Sequence, residues 1–269
     1  MTVIEQGSQL ASREDADVGA ALLELFRDEG IEVLLDTTVR SVEGLSGDHI
    51  KVNVADGKSA RTLDASDILV ATGRTPNTFG IGLEQAGVEL TAQGFIKVNE
   101  RLETTAPDVW AMGDCAGSPI FTHVAFDDFR VVRDNLRGGD RTTRNRLVPY
   151  CVFTDPELVR VGLNESEAKS RGIDYRLVKI PASSVLRLHT ISELRGFIKP
   201  LIAVDSDNIL GLTAFSAEAS ELLATVQTAM VGGLPYTALR DAIFTHPTVA
   251  EVFSVLLADV PALQAQKAA

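Results

Sequence analysis

Thr105-Ala106-Pro107-Asp108-Val109-Trp110-Ala111-Met112-Gly113-Asp114-Cys115-Ala116-Gly117 is the stretch on which the fold turns. Val109 to Met112 reads as a strand that stops at Gly113-Asp114. A glycine there lets the backbone approach a ligand, and the aspartate presents one carboxylate to a polyol hydroxyl. Just beyond, Phe121-Thr122-His123-Val124-Ala125 opens a helix whose amide dipole can hold partial negative charge. The regular part of that helix is expected from Ala125 to Leu136, before Gly138-Gly139 and the basic polar run Asp140 to Arg146, which reads as a boundary.

Working towards the N-terminus, Asp67-Ile68-Leu69-Val70-Ala71 has the composition of a buried strand, and it runs into Thr72-Gly73-Arg74-Thr75-Pro76-Asn77. Residues 39 to 63 alternate in short stretches broken by Gly44, Gly47 and Asp56-Gly57, which predicts an antiparallel meander. Before it lies a strand–helix–strand unit. Thr2 to Glu5 ends a parallel strand, and Val18, Ala21, Leu22, Leu25 and Phe26 share one helical face. Asp15 is placed to cap that helix, Gly30 ends it, and Ile31 to Leu35 forms the second strand. Towards the C-terminus, four segments read as antiparallel strands: Val152 to Thr154, Tyr175 to Ile180, Gly196 to Lys199 and Ile209 to Leu212. Two helices follow, one carrying Leu222, Val226, Ala229 and Met230, the other spanning Val249 to Leu257. The fold class is therefore α/β plus α+β, a truncated Rossmann-like region followed by an α+β domain.

The chain has 269 residues, 45% hydrophobic and 23% charged, with net charge −12. The sequence pI is about 4.8 and the mean hydropathy +0.11. An acidic surface repels phosphate backbones, which argues against nucleic acid as a partner. No apolar run reaches a bilayer-spanning length, and the first residues do not read as a signal peptide; a cytoplasmic protein is expected from its two widely spaced cysteines, since free thiols are normal there. The two cysteines, Cys115 and Cys151, have none of the short spacings used for zinc or redox pairs; both read as buried structural thiols, and no metal site is expected. Gly80-Ile81-Gly82-Leu83-Glu84-Gln85 is a near-match to a dinucleotide glycine loop, but Gln85 takes the third glycine position and no strand precedes it. Glu5 is either the strand-end acid that bonds a nucleotide ribose or a solvated strand-end carboxylate.

The Thr105–Gly117 stretch resembles the second FAD-binding motif of the pyridine nucleotide-disulfide oxidoreductases. Three further segments follow in that family's order. Ala71 to Asn77 is similar to the sequence that closes the NAD(P) domain. Phe153-Thr154-Asp155-Pro156-Glu157, with Val161-Gly162, is similar to the opening of the dimerisation domain. His246-Pro247-Thr248-Val249-Ala250-Glu251 resembles the His–Glu dyad. The resemblance implies three segments: residues 1–77 as a truncated NAD(P)-binding domain, 78–146 as the returning part of the FAD domain, and 147–269 as the dimerisation domain. It also implies that Gly113, Asp114 and the Phe121–Ala125 helix start hold FAD, and that Gly73, Arg74 and Glu5 belong to the cofactor sites. NAD is favoured by Glu5, with NADP possible.

His246 and Glu251 would be the catalytic pair, serving the partner subunit of a homodimer, with a small disulfide-type oxidant as substrate. A carboxylate on one ring nitrogen fixes the tautomer and raises the basicity of the other. His49, His123 and His189 have no acidic partner placed for this work. The Phe121–Asn135 stretch is closer to the mercuric-reductase-like and hypothiocyanite-reductase-like branches than to glutathione reductase, although the tail Pro261 to Ala269 carries no cysteine. The family's redox cysteine pair and first FAD glycine motif are missing, so the expectation is an enzyme fragment inactive alone. The alternatives are a non-catalytic homodimerisation or interaction module and a Rossmann dehydrogenase, against which the missing glycine loop argues. Expressed separately, residues 1–140 are expected to be poorly soluble and residues 147–269 to form a well-behaved dimer.

Overall fold

A computed structural model describes residues 1–263, so the end of the cysteine-free tail lies outside the described residues. They fall into two compact units, one running over residues 1–69 and 149–263, the other over Val70–Val148.

The first unit begins with β1 (Thr2–Ile4), α1 (Ala16–Asp28) and β2 (Glu32–Leu34), and β1 and β2 pair in parallel. The apolar stripe of α1 buries Val18, Leu22 and Leu25 as expected, and Gly30 at φ +72° supplies the left-handed residue after its end. The antiparallel meander is β3 (Thr38–Leu45), β4 (His49–Ala55) and β5 (Ala60–Ala65). Its Asp56-Gly57 turn is closed by the Asp56 carboxylate, which accepts the backbone N–H groups of Lys58 and Ser59. Ile50, Val52 and Val54 point from β4 into a small core with Ile4, Leu63 and Ile68.

The C-terminal part of the same unit is an antiparallel sheet. Its strands are β6 (Tyr150–Val152), β7 (Glu157–Gly162), β8 (Tyr175–Leu177), β9 (Ile180–Pro181), β10 (Phe197–Ala203) and β11 (Ile209–Ser216), in the order β6-β7-β11-β10-β8 with β9 also on β10. The sequence reading missed β7, the neighbour of β11. Its alternation is broken by Arg160, which is buried rather than solvated. The single strand expected over Tyr175–Ile180 splits into β8 and β9, because Lys179 leaves the ladder to lie over the Phe197 ring and bond Asp17. Short helices α3 (Glu165–Ser170), α4 (Leu186–Thr190) and α6 (Tyr236–Arg240) join the two expected ones, α5 (Ala219–Val231) and α7 (Val252–Leu256). A 3₁₀ turn at Val249–Glu251 leads into α7.

Helix α1 and the sheet share one core: Leu10, Val18, Leu22 and Leu25 pack with Leu158, Phe197 and Phe215. The expectation that Asp15 caps α1 is corrected. Its backbone sits at the cap position, but its side chain accepts the N–H groups of Glu165 and Ser166 and the ammonium of Lys199. Lys199 is fully buried in β10 and also meets Asp17 and Glu165. Burial by itself would lower the Lys199 pKa and raise that of Asp15. The bonds between them win, so Lys199 is raised and Asp15 is held at about 2. Beside this cluster, the Tyr150 hydroxyl donates to Glu14 and accepts from Arg160 at 2.6 Å, and Arg160 pairs with Glu167 at 2.8 Å.

In the second unit, the strands expected over Phe95–Val98 and Val109–Met112 are single bridges only, Leu90–Ile96, Val98–Thr104 and Glu103–Trp110. No strand forms at 67–71 among the described residues, and Leu69 and Val70 are exposed. An apolar run becomes a strand only where another strand satisfies its backbone. One regular helix, α2 (Thr122–Leu136), organises the unit. It starts earlier than the expected Ala125 because Phe121 is extended and its carbonyl already accepts from Val124 and Ala125. Val131 and Val132 bury its inner face with Leu102.

Candidate functional site

In the second unit the Gly113–Ala116 segment forms a single 3₁₀ turn directly against α2. Gly113 has φ +70°, and a Cβ placed on it would lie 3.3 Å from the Ala125 Cβ. The left-handed backbone favours glycine, and the tight contact adds to that preference. The turn is closed by the Gly117 N–H donating to the Asp114 carbonyl at 3.1 Å. Asp114 keeps its carboxylate half exposed, and the Arg74 guanidinium comes within 3.7 Å of it. Gly73, at φ +120°, turns the chain that presents Arg74. The structure therefore gathers Gly73, Arg74, Gly113, Asp114 and the N-terminal turn of α2, Thr122 to Ala125, within one unit. Phe121 and His123 flank that turn with their rings stacked at 5.2 Å. The N-cap residue Phe121 makes no side-chain cap hydrogen bond, and the amides of a helix's first turn can receive partial negative charge.

Sequence reasoning missed what holds this turn. Asp128, fully buried on α2, accepts the Gly113 N–H at 2.7 Å. Its other oxygen takes Arg146 at 2.5 Å. The signal was present only as an acidic residue in a helix and a basic linker, and nothing in one dimension joins them.

Of the remaining sequence-derived residues, Glu5, His246 and Glu251 belong to the first unit. Glu5 lies just past β1; its carboxylate accepts the Gly7 N–H at 2.7 Å, which fixes its direction at the strand end. Glu251 uses both oxygens. One accepts from His246 Nδ1 at 2.8 Å, the other from the Thr248 N–H at 3.0 Å in a capping box. The hydrogen bond with His246 and that of Thr248 hold the Glu251 carboxyl below the usual range. With Nδ1 engaged, Nε2 is the nitrogen left for proton exchange. The pair opens onto a cavity of about 400 Å³ lined by Val185, Leu186, Ile243, Phe244 and Val255 among others, and Ile243 is wholly exposed.

Two expectations change. His49 does have an acidic neighbour, Asp64 at 3.3 Å, but the pair sits on the exposed face of the meander and comes from cross-strand register. Cys115 and Cys151 are free and only half-buried. Burial and then Glu157 push the Cys151 thiol up to about 11, which keeps it protonated and poorly nucleophilic. The Gly80–Gln85 near-match is a glycine turn without a following helix. Among the described residues no His, Cys, Asp and Glu cluster could hold a metal, and no helix is long and apolar enough to cross a membrane.

Comparison with known proteins shows the family. The family model described as pyridine nucleotide-disulphide oxidoreductase matches residues 1–128, and the model for the dimerisation domain of the same family matches residues 148–256. The probable pyridine nucleotide-disulfide oxidoreductase RclA of Escherichia coli K12 is 37% identical over 253 residues, covering 93% of this chain and 56% of the relative. A dihydrolipoyl dehydrogenase of Thermus scotoductus is 35% identical, covering 93% of this chain and 54% of the relative. A mercuric reductase of Acidithiobacillus ferrooxidans is 35% identical, covering 93% and 45%. Among solved structures, the HOCl-induced flavoprotein disulfide reductase RclA from Escherichia coli superposes with TM-score 0.88 at 35% identity, over 97% of this chain and 59% of that one. The chain thus spans about half the length of the curated relatives it matches.

Proposed function

The chain belongs to the pyridine nucleotide-disulphide oxidoreductase family, whose members are NAD(P)H-dependent flavoprotein enzymes, and from that premise we propose that it carries the proton-transfer dyad and part of the FAD site of a disulfide reductase. The observation that carries this reading is the His246–Glu251 bond of 2.8 Å, with Glu251 anchored a second time on the helix cap. A histidine so held can take a proton from a substrate thiol at Nε2 and return it to a leaving thiolate. Glu251 holds the ring in one orientation and fixes its tautomer.

The flavin site fits the residues present. Gly113 would leave room for a close approach, Asp114 would offer a carboxylate to ribityl hydroxyls, and the start of α2 would favour partial negative charge from the flavin ring. Bound FAD would supply the two-electron carrier between nicotinamide and disulfide. Glu5, fixed by Gly7, would accept from the adenosine ribose hydroxyls. NADH is the favoured reductant, because a 2′-phosphate beside that carboxylate would be repelled and Gln6 to Ser12 carry no cation.

The three segments keep their proposed roles, residues 1–77 for the nicotinamide nucleotide, 78–146 for flavin and 147–269 for a homodimer whose dyad serves the partner's site. The oxidant is a small disulfide or related species, and the half-buried free thiols suit a reducing cytoplasm. Cys115 and Cys151 do not form a redox pair, so these residues by themselves are not expected to turn over.

The test is the visible absorbance of the purified chain before and after adding FAD, with its mass by light scattering. A flavin band at near one per chain, on a dimer, supports the reading. A colourless dimer after FAD addition would overturn it in favour of a non-catalytic dimerisation module.

A further inference from the structure

The Gly113–Asp114 turn has little regular structure to hold it, since the segment before it forms only an isolated bridge. Its direct anchor on α2 is a side chain. Asp128, two turns into α2 and fully buried, bonds the Gly113 N–H at 2.7 Å through one oxygen. The residue that follows that N–H in the chain is the one whose carboxylate is presented outward.

A buried carboxylate is costly unless it is paired. The pairing comes from a segment that the sequence marks only as a basic linker. Arg146 reaches Asp128 Oδ1 at 2.5 Å and Ser118, on the far side of the same turn, at 3.3 Å. Its guanidinium also lies 3.5 Å from Asp127, which Arg141 holds at 2.7 Å. Arg146 thus touches the turn from both ends, through Asp128 at Gly113 and directly at Ser118. A linker that needed only to be tethered would not require contacts that bracket the one exposed carboxylate between them.

We propose that Asp128 and Arg146 are positioning residues for the flavin site, an ion pair with its carboxylate buried and its guanidinium partly so, which locks the Gly113–Ser118 turn so that the Asp114 carboxylate is presented in one direction. The inference rests on the reading of Asp114 as a ligand of the flavin polyol. The pair does not touch the cofactor. It removes the freedom that the turn would otherwise lose on binding, which is how pre-organisation strengthens affinity. Because Asp128 supplies a charged acceptor to a backbone N–H, the bond is of the stronger kind, and losing it costs more than losing an ordinary turn contact.

The experiment uses the 269-residue chain with two readouts, hydrogen exchange of the Gly113 amide by NMR and the FAD dissociation constant by flavin fluorescence titration. The double variant Asp128→Leu/Arg146→Met removes both charges without stranding either. It is expected to expose the Gly113 amide to exchange and to weaken FAD binding by about tenfold, the equivalent of one buried charged hydrogen bond. The double variant Asp128→Asn/Arg146→Gln keeps an acceptor for Gly113 and should restore both readouts. Equal FAD affinity in Asp128→Leu/Arg146→Met and the unaltered chain would overturn the proposal, as would equal weakening in both double variants. Asp114→Ala separates the two ideas. If it leaves FAD affinity unchanged, or if the unaltered chain takes up no FAD, the reading of Asp114 itself falls and the proposal with it. If Asp114→Ala weakens binding while Asp128→Leu/Arg146→Met does not, only the positioning role is lost.

Discussion

Gly113 combines a left-handed backbone with a neighbour, Ala125, slightly closer than ordinary van der Waals contact to where its side chain would begin. Gly113→Ala is therefore expected to lower stability by about 1–2 kcal/mol in urea denaturation, chiefly through the backbone term. The same variant should weaken FAD uptake, since relief of the strain would turn Asp114 away. At His246 the expectation concerns a proton rather than a fold. In the unaltered chain, ¹⁵N chemical shifts of the neutral ring should report the Nδ1–H tautomer fixed by Glu251. Glu251→Ala should return the ring to a mixture of tautomers; an unchanged spectrum would mean that the 2.8 Å bond does not set the tautomer in solution. The dyad was legible in the sequence because His246 to Glu251 resembles the family's His–Glu motif; spacing alone favours a histidine that merely packs at a helix start. Asp128 was not, because a buried aspartate and a solvated one look alike in one dimension.

Among the elements, β10 carries the largest departure from expectation. A lysine in a strand reads as its solvent face, yet Lys199 is fully buried among Asp15, Asp17 and Glu165. The three carboxylates come from the start of α1 and from α3, so the lysine exchanges water for partners that only the assembled unit provides. Lys199→Met should cost about 3–5 kcal/mol by denaturant unfolding, because it leaves the buried Asp15 carboxylate without its counter-ion, while Asp17 keeps Lys179 and Glu165 keeps Lys169. A loss under about 1 kcal/mol would show that the cluster relaxes into water. The acid limb follows from the same group. Asp15 is held at about 2 against an ordinary 3.8, so its contribution is complete above about pH 4 and disappears as the pH falls through 2. That contribution is about 2 kcal/mol. Glu14 works in the opposite sense: burial raises it above 4.5 despite Tyr150 and Arg160, so its ionised form costs stability at neutral pH and protonation relieves that cost. Loss of stability through this cluster should therefore set in below pH 4 and not between 7 and 5.

For the molecule, the consequential fact is which segments share a core. The first strand–helix–strand unit is packed on the antiparallel sheet through Leu22, Leu25, Leu158, Phe197 and Phe215. The expectation of a well-behaved independent piece over residues 147–269 is replaced accordingly. Cut there, the piece loses the α1 cover over Phe197 and two of the carboxylates around Lys199. It should unfold at lower urea than the full chain and show a concentration-dependent mass by size exclusion. A piece as stable as the full chain would mean that α1 contributes little to the sheet.

The sequence by itself determined the family, the parallel unit with its α1 stripe, the β3–β5 meander, the α5 and α7 helices and the positions of Asp114, His246 and Glu251. The elements are written in local periodicity and turn chemistry, which depend on neighbours in the chain, whereas the family and the three site positions were read from short motifs that resemble the family's. The tertiary structure alone decided that Asp15 and Lys199 form a buried cluster, that Asp128 and Arg146 hold the Asp114 turn, and that Asp67–Ala71 is not a strand. In each case the deciding partner is far away in sequence or, for the strand, not present among the described residues. Burial of charge and satisfaction of backbone bonds are properties of the assembled surroundings, and a residue's own segment does not carry them.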